Sequence, residues 1–307
     1  MSETLAYALV LTARPGAELI GNTEVMAVRG ALAGETVLDE SWLAAGDAWE
    51  ALLARPGDSD PTGLMERVGQ ALDGRPIDAN LVDAELATRK KKLLIADMDS
   101  TIIGQECIDE MGDVLGIKAR IAAITERAMR GDLDFEGALR ERMALLAGLS
   151  EADLEQIYAT RITLTPGARE LVATMRANGA FTALVSGGFT FFTSRVAKAV
   201  GFDVNRANLL ETADGRLTGR VIEPILGREA KRGALESFSA DKGVATPLTL
   251  AVGDGANDLA MIRAAGLGVA FHAKPVVAAE ADASIEHGDL TALLYLQGYR
   301  KADFVGA

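Results

Sequence analysis

The chain has 307 residues, 49% of them hydrophobic, a positive mean hydropathy and a formal charge of −13, which fits a folded globular protein with room for two domains. The acidic balance argues against a nucleic-acid partner, no apolar run approaches the roughly 18–20 residues of a membrane span, and the N-terminus lacks the basic start of a signal peptide, so a cytoplasmic location is expected. One cysteine and two histidines leave little material for a disulfide framework, a zinc site or a Ser-His-Asp triad, whereas carboxylates, which favour magnesium, are plentiful.

The charge is uneven. Residues 1–88 hold 5 arginines, no lysine and 15 acids, and the cluster Arg89-Lys90-Lys91-Lys92 marks the seam to a more balanced remainder. Residues 1–86 read as a small acidic α/β domain. Leu5 to Thr12 is strand-like and closed by Arg14-Pro15-Gly16. Trp42 to Leu53 carries Ala45, Trp49, Leu52 and Leu53 at helical spacing, with Ser41 as N-cap and Pro56-Gly57 as stop. Trp42 and Trp49 are expected as core anchors. Pro61 to Leu72 is a second expected helix. The acids of this part match no metal-ligand spacing, so a regulatory or oligomerisation role is the expectation.

From residue 87 onward a larger α/β domain is expected. The apolar run before Asp97-Met-Asp99-Ser-Thr101 reads as a strand buried on both faces of a parallel sheet. Helical periodicity then runs from about Glu106 to Ile162, broken at Gly131-Asp132. That is too long for one crossover helix, so a helical cap over about 105–163 is expected. Thr165-Pro166 starts a helix that Gly179 ends. Phe181 to Val185 is a buried strand leading into Ser186-Gly187-Gly188-Phe189, and a helix over Phe191–Val200 follows. Leu209 to Glu223 forms a hairpin through Asp214-Gly215, and Arg228 to Phe238 is a helix carrying Lys231. Pro247 to Val252 is a third buried strand, delivering Gly253-Asp254-Gly255-Ala256-Asn257-Asp258. A helix from Leu259 to Ala265, a strand from Gly268 to Phe271 and a helix from Asp289 to Leu296 complete a doubly wound α/β parallel-sheet fold.

Parallel strands bring Asp97/Asp99, Ser186-Gly187-Gly188 and Asp254/Asn257/Asp258 to one sheet edge. Singly, each is an ordinary turn or cap; jointly they supply what phosphoryl transfer needs. A phosphomonoester carries about two negative charges, so a carboxylate can attack it only with charge neutralisation. Magnesium on Asp97 and Asp254, with Lys231, would provide it. The Ser186 hydroxyl and Gly187 amide would donate to the phosphate oxygens, and Asp99 would protonate the leaving alkoxide.

These motifs resemble the haloacid dehalogenase superfamily and, within it, the phosphoserine phosphatases, over about residues 92–296. The resemblance implies an aspartyl-phosphate mechanism in which Asp97 is the nucleophile and Asp99 the general acid and base. Magnesium would bind the Asp97 carboxylate, the Asp99 backbone carbonyl and Asp254. Asn257 would contact the substrate phosphate, and Asp258 would orient Lys231 or a metal-bound water. Glu106 and Arg142 stand where that family binds the ammonium and carboxylate of phosphoserine, with Met129 and Phe135 lining the apolar side of the cap and Gly188 supporting the phosphate loop. Cys107 is expected as a packing residue. The implied reaction is hydrolysis of phosphoserine, the last step of serine biosynthesis. Alternatives are transfer to homoserine, hydrolysis of another small phosphomonoester, or, outside enzymes, a phospho-accepting receiver module. In size and expected topology the first 86 residues resemble an ACT-like domain, which implies serine regulation or a homodimer formed through it.

Overall fold

The computed structural model describes residues 6–54 and 60–306, and the side chains of Met129 and Arg228 lie outside that description. Leu5 and the expected Pro56-Gly57 stop also fall outside it. The chain runs β1 (Ala6–Ala13), α1 (Asn22–Ala31), β2 (Val37–Ala44), β3 (Ala48–Ala54), α2 (Pro61–Leu72) and β4 (Ile77–Asp83). These strands form an antiparallel sheet in the order β2-β3-β1-β4, the β-α-β-β-α-β arrangement of ferredoxin-like folds. Alternation along each strand divides its faces. Leu9, Leu11, Trp49 and Leu53 pack with Val25, Val28, Leu64 and Val68 of the two helices. Ala8, Val10, Ala48 and Val82 join the core of the rest of the chain.

The helix expected over Trp42–Leu53 is instead the β2–β3 hairpin. Gly46 turns it at φ +80°, a conformation that costs glycine little, and Trp42 pairs directly with Trp49. A seven-residue separation that mimics a helical face is here a cross-strand pair around a short turn. Trp49 is 2% exposed and Trp42 38%, so only Trp49 anchors the core. Ser41 donates its hydroxyl to Glu50 rather than capping a helix. The expected helix over Pro61–Leu72 does form, with the Asp60 carboxylate accepting from the Gly63 amide at its start.

Strand β4 escapes the sequence reading because two of its polar residues face inward. Asp78 and Asn80 are each 5% exposed. Asn80 exchanges two hydrogen bonds with the Ser284 backbone, and the Asp78 carboxylate accepts from the amides of Glu286, His287 and Gly288. These side chains tie the small sheet to the large one. Asp78→Ala strands those three amides where protein replaces water, so thermal unfolding should show a loss of about 3 kcal/mol.

The remainder follows as β5 (Leu93–Ala96), α3 (Cys107–Val114), α4 (Lys118–Met129), α5 (Phe135–Leu145), α6 (Glu151–Arg161), α7 (Ala168–Ala177), β6 (Phe181–Phe189), α8 (Thr190–Val200), β7 (Val204–Ala213), β8 (Arg216–Ile222), α9 (Arg228–Lys242), β9 (Thr249–Gly253), α10 (Leu259–Ala264), β10 (Leu267–Phe271), α11 (Pro275–Ala278), β11 (Ala283–Ile285) and α12 (Ala292–Leu296). Its sheet has the order β11-β10-β9-β5-β6-β7-β8. All neighbours are parallel except β8, which returns antiparallel to β7. β5 and β9 are buried along their whole length, as continuous apolar strands of a covered parallel sheet should be. α7 starts at Ala168 rather than at Pro166, because Gly167 precedes it at φ +81°.

The four helices α3 to α6 leave and rejoin the sheet through paired segments. The Gly104 amide donates to Thr163 O, the Thr165 amide to Ile102 O, and the Gln105 side chain exchanges hydrogen bonds with Thr163. On the far side, the turn between α5 and α6 is stitched to β8 by Gly148 N to Leu217 O and Leu217 N to Leu149 O, both 2.8 Å. No helix among the described residues is long and apolar enough to cross a membrane.

Candidate active site

β5 stops at Ala96, and Asp97 continues its direction with an extended backbone before Met98–Ile102 coil into one wide turn. Ser100 takes φ +53° within it, so the chain reverses at once and Asp97 and Asp99 remain at the strand end. β6 lies on one side of β5 and β9 on the other. The Ser186 loop and the Asp254 loop therefore flank the two aspartates without any long-range reach.

The closest contacts form around Asp97, which is 5% exposed. Its Oδ1 accepts from the Met98 amide at 2.7 Å and lies 2.7 Å from Lys231 Nζ. Lys231, on α9, also meets Asp258 Oδ1 at 2.5 Å. Asp258 is fully buried, and its other oxygen accepts from the Gly255 amide at 3.0 Å. Both partners of Asp97 use the same oxygen, and among the described residues no hydrogen bond or ion pair engages Oδ2. Burial, then Asp258, push the Asp97 carboxyl well above the ordinary range, against the pull of Lys231. Burial pulls the Lys231 pKa down, but Asp258 and Asp97 outweigh it and raise it above the ordinary lysine value.

Asp254 stands on the other flank, where it accepts from the Thr101 hydroxyl at 3.2 Å. Burial, then Asp258, raise its carboxyl to about 6. Asp97, Asp254 and Asp258 can each bring one oxygen within 4.8 Å of the others. An all-oxygen set whose members repel each other in a water-poor recess suits a hard divalent cation.

Asp99 accepts from the Cys107 amide at 3.1 Å and from the Ser186 hydroxyl at 3.4 Å. Its carboxyl is raised above the ordinary range, chiefly by burial and against the hydrogen bonds from Cys107. The Gly188 amide in turn donates to Ser186 Oγ at 2.8 Å. A Cβ on Gly188 would come within 2.9 Å of Asp99 Oδ2, which explains why the loop carries glycine there. Cys107 packs at 1% exposure. Burial, then Asp99, push its thiol well up, so it is no nucleophile.

The cap contributes from above. Phe135, at the start of α5, lies over Gly187: a Cβ there would sit 3.1 Å from the ring. Glu106 accepts from the Ser100 hydroxyl at 2.7 Å. Its side chain keeps contact with solvent, but crowding strips much of its hydration; that loss, then Asp99, raise its carboxyl to about 7. Arg142 is half-buried on α5, its Nε donating to Ala138 O at 3.3 Å. Burial lowers its pKa, opposed by the fields of Glu106, Asp109 and Asp99. No carboxylate among the described residues pairs with its two terminal nitrogens. Asn257 is half-buried beside Gly255, and the Met129 side chain lies outside the described residues.

Two contributors carried no assignment from sequence. Thr101 sits inside the Asp-x-Asp-Ser-Thr motif, so its proximity to Asp254 was within reach. Asn208, 1% exposed on β7, donates from Nδ2 to Gly187 O at 2.8 Å and accepts at Oδ1 from the Leu226 amide at 2.6 Å. Nothing local in the sequence distinguishes it.

The model of the haloacid dehalogenase-like hydrolase family matches residues 94–263. A phosphoserine phosphatase of Polaromonas sp. is 46% identical over 222 residues, which are 71% of this chain and 94% of that one. Among solved structures, a HAD family hydrolase from Salmonella enterica serovar Typhi superposes with a TM-score of 0.81 at 28% identity, covering 94% of this chain and 98% of its own. A probable phosphoserine phosphatase from Vibrio cholerae gives 0.79 at 32% identity, covering 99% and 90%.

Proposed function

We propose that this chain, which belongs to the haloacid dehalogenase-like hydrolase family, hydrolyses O-phospho-L-serine to L-serine and phosphate. The observation that carries the reading is the buried Asp97, fixed through one oxygen by Lys231 and the Met98 amide, with Asp99 two residues on and in contact with Ser186. In this reading the free Oδ2 of Asp97 attacks phosphorus in line with the departing serine alkoxide. Asp99, whose burial favours the protonated form, gives its proton to that alkoxide. The same carboxylate then takes a proton from the water that opens the aspartyl phosphate. Lys231, the Ser186 hydroxyl and the Gly187 amide stabilise the equatorial phosphoryl oxygens, and Asn257 borders the same space.

The acidic set fits magnesium, with Asp97, Asp254 and the Asp99 carbonyl as its holders and Asp258 turned instead to Lys231. Bound there, the ion would neutralise charge between carboxylate and phosphoryl group.

Selection of serine falls to the cap. Glu106 supplies an anion for the substrate ammonium, and Arg142 offers its two terminal nitrogens, which pair with no carboxylate among the described residues, to the substrate carboxylate. Arg142→Ala should raise KM for phosphoserine by ~30- to 150-fold, from about 2–3 kcal/mol of charged hydrogen bonding. KM for p-nitrophenyl phosphate, which lacks the carboxylate, should barely move. Equal effects on the two substrates would refute the assignment.

The reaction itself is tested by phosphate release from a panel of phosphomonoesters, phosphoserine and phosphothreonine included, with magnesium and after chelation. Phosphoserine should lead the panel and chelation should abolish turnover; no release from phosphoserine with magnesium sinks the reading. Analysis of products with and without homoserine separates hydrolysis from transfer. The first 86 residues are read as a domain of their own, an ACT-like regulatory module through which two copies associate, supported by the ferredoxin-like order of their elements. A cytoplasmic enzyme with a small-molecule substrate and no nucleic-acid partner completes the reading.

A further inference from the structure

We propose that Asn208 is a positioning residue for phosphoryl transfer, acting through the Gly187–Gly188 peptide on the Ser186 hydroxyl. The inference rests on the reading of Ser186 to Gly188 as the phosphate loop, and it starts from the ladder between β6 and β7. Pairing is regular up to Val185 with Arg206 and resumes at Phe189 with Asn208. Three residues of β6 thus face one residue of β7, so β6 bulges away from its neighbour where Ser186, Gly187 and Gly188 must reach the phosphate.

A bulge of that kind orphans backbone groups in a buried place. The Asn208 side chain fills the gap, its Nδ2 donating to Gly187 O at 2.8 Å. The orientation of the amide is determined from both ends, because Leu226 N can only donate and Gly187 O can only accept. The carbonyl of Gly187 and the amide of Gly188 belong to one planar unit. Fixing the first therefore aims the second, and Gly188 N donates to Ser186 Oγ at 2.8 Å. With one lone pair of Oγ occupied, the Ser186 hydroxyl is held beside Asp99, donating to Oδ2 at 3.4 Å, and its single proton turns to a phosphoryl oxygen when substrate is bound. A continuous run of hydrogen bonds thus joins a fully buried amide to the proton donor.

The other end of Asn208 holds the segment that leads to Lys231. Leu226 N donates to its Oδ1 at 2.6 Å, and α9 begins two residues later, placing Lys231 one turn into the helix. One side chain accordingly sets the distance between the hydroxyl and the ammonium that flank the same phosphoryl group. Asn208 touches neither substrate nor the reacting atoms, so its influence passes through Ser186 and the α9 entrance.

Asn208→Asp separates the two ends, since a carboxylate still accepts from Leu226 but cannot donate to Gly187. The full-length chain is assayed on phosphoserine with magnesium as wild type, N208D, S186A and the double variant, with melting temperature recorded for each. Expected is a fall in kcat of roughly 10- to 100-fold in N208D. The double variant should lose no more than about the worse single one, because residues that act as a unit are non-additive. Wild-type kcat in N208D, or losses that multiply in the double variant, overturn the proposal. Should N208D fail to fold, the smaller and neutral N208S takes its place in the same cycle with the same two outcomes. A wild-type chain inactive on phosphoserine fails the underlying reading before any variant is compared, whereas an active wild type with an indifferent Asn208 fails this inference alone.

Discussion

Asp97→Asn should reduce kcat for phosphoserine by ~10,000-fold or more, the scale at which enzymes lose an essential nucleophile. The substitution is nearly isosteric. Its side-chain oxygen can still accept from the Met98 amide, and Lys231 retains Asp258 at 2.5 Å. Burial and Asp258 already disfavour a second negative charge at this position, so the neutral amide should leave the fold intact, and melting temperature should fall little or rise. What disappears is a carboxylate oxygen able to attack phosphorus. The proposed substrate contacts of Arg142 and Glu106 do not involve the exchanged atoms, and phosphoserine should still bind. The measurement is phosphate release under saturating substrate and magnesium, with thermal unfolding as the control. Activity near that of the wild type in a folded variant would refute covalent catalysis by Asp97.

The placement of the polar clusters was legible where it depended on single strands. β5 and β9 are apolar runs that stop at polar clusters, β6 carries Ser186-Gly187-Gly188 within its last residues, and a parallel sheet sets the three side by side, so Asp97, Ser186 and Asp254 could be brought together on paper. The four-helix cap followed from a periodic stretch too long for a crossover. What failed did so where the decisive partner lies on another strand. Trp42 and Trp49 have the spacing of a helix face as well as that of a hairpin pair, and only the Gly46 turn decides between them. Ile77 to Asp83 alternates in the sense of a strand, but Asp78 and Asn80 occupy the face that becomes buried, because backbone amides more than 200 residues away receive them. Asn208 belongs to the same class. Its meaning depends on a gap in the β6–β7 ladder, which no window of sequence around residue 208 contains. Polar residues turned inward to serve a distant backbone read as surface residues until the neighbour is known.

Asp99→Asn should lower turnover by roughly 100- to 10,000-fold, the range for loss of a general acid and base, and should do so in a way that distinguishes it from Asp97→Asn. The amide can keep both contacts of the native side chain. Its oxygen can accept from Cys107 N, and its nitrogen can donate to Ser186 Oγ, reversing the direction of one hydrogen bond. Geometry around the phosphoryl group is thereby preserved while the exchangeable proton is lost. In the native chain, burial holds the Asp99 carboxyl above its ordinary range, which in the proposed mechanism keeps a proton for the serine alkoxide. In the same proposal this group then removes a proton from the water that opens the aspartyl phosphate. Phosphoserine carries a poor leaving group, so its first step suffers in the variant; p-nitrophenyl phosphate departs with little need of a proton, so its first step survives. The second step is slowed for both. Acid quenching during turnover of p-nitrophenyl phosphate should therefore trap phosphate covalently on the variant, together with a burst of nitrophenol, and Asp97→Asn should show neither. A variant with a raised KM, unchanged kcat and no trapped phosphate would mean that Asp99 only binds substrate.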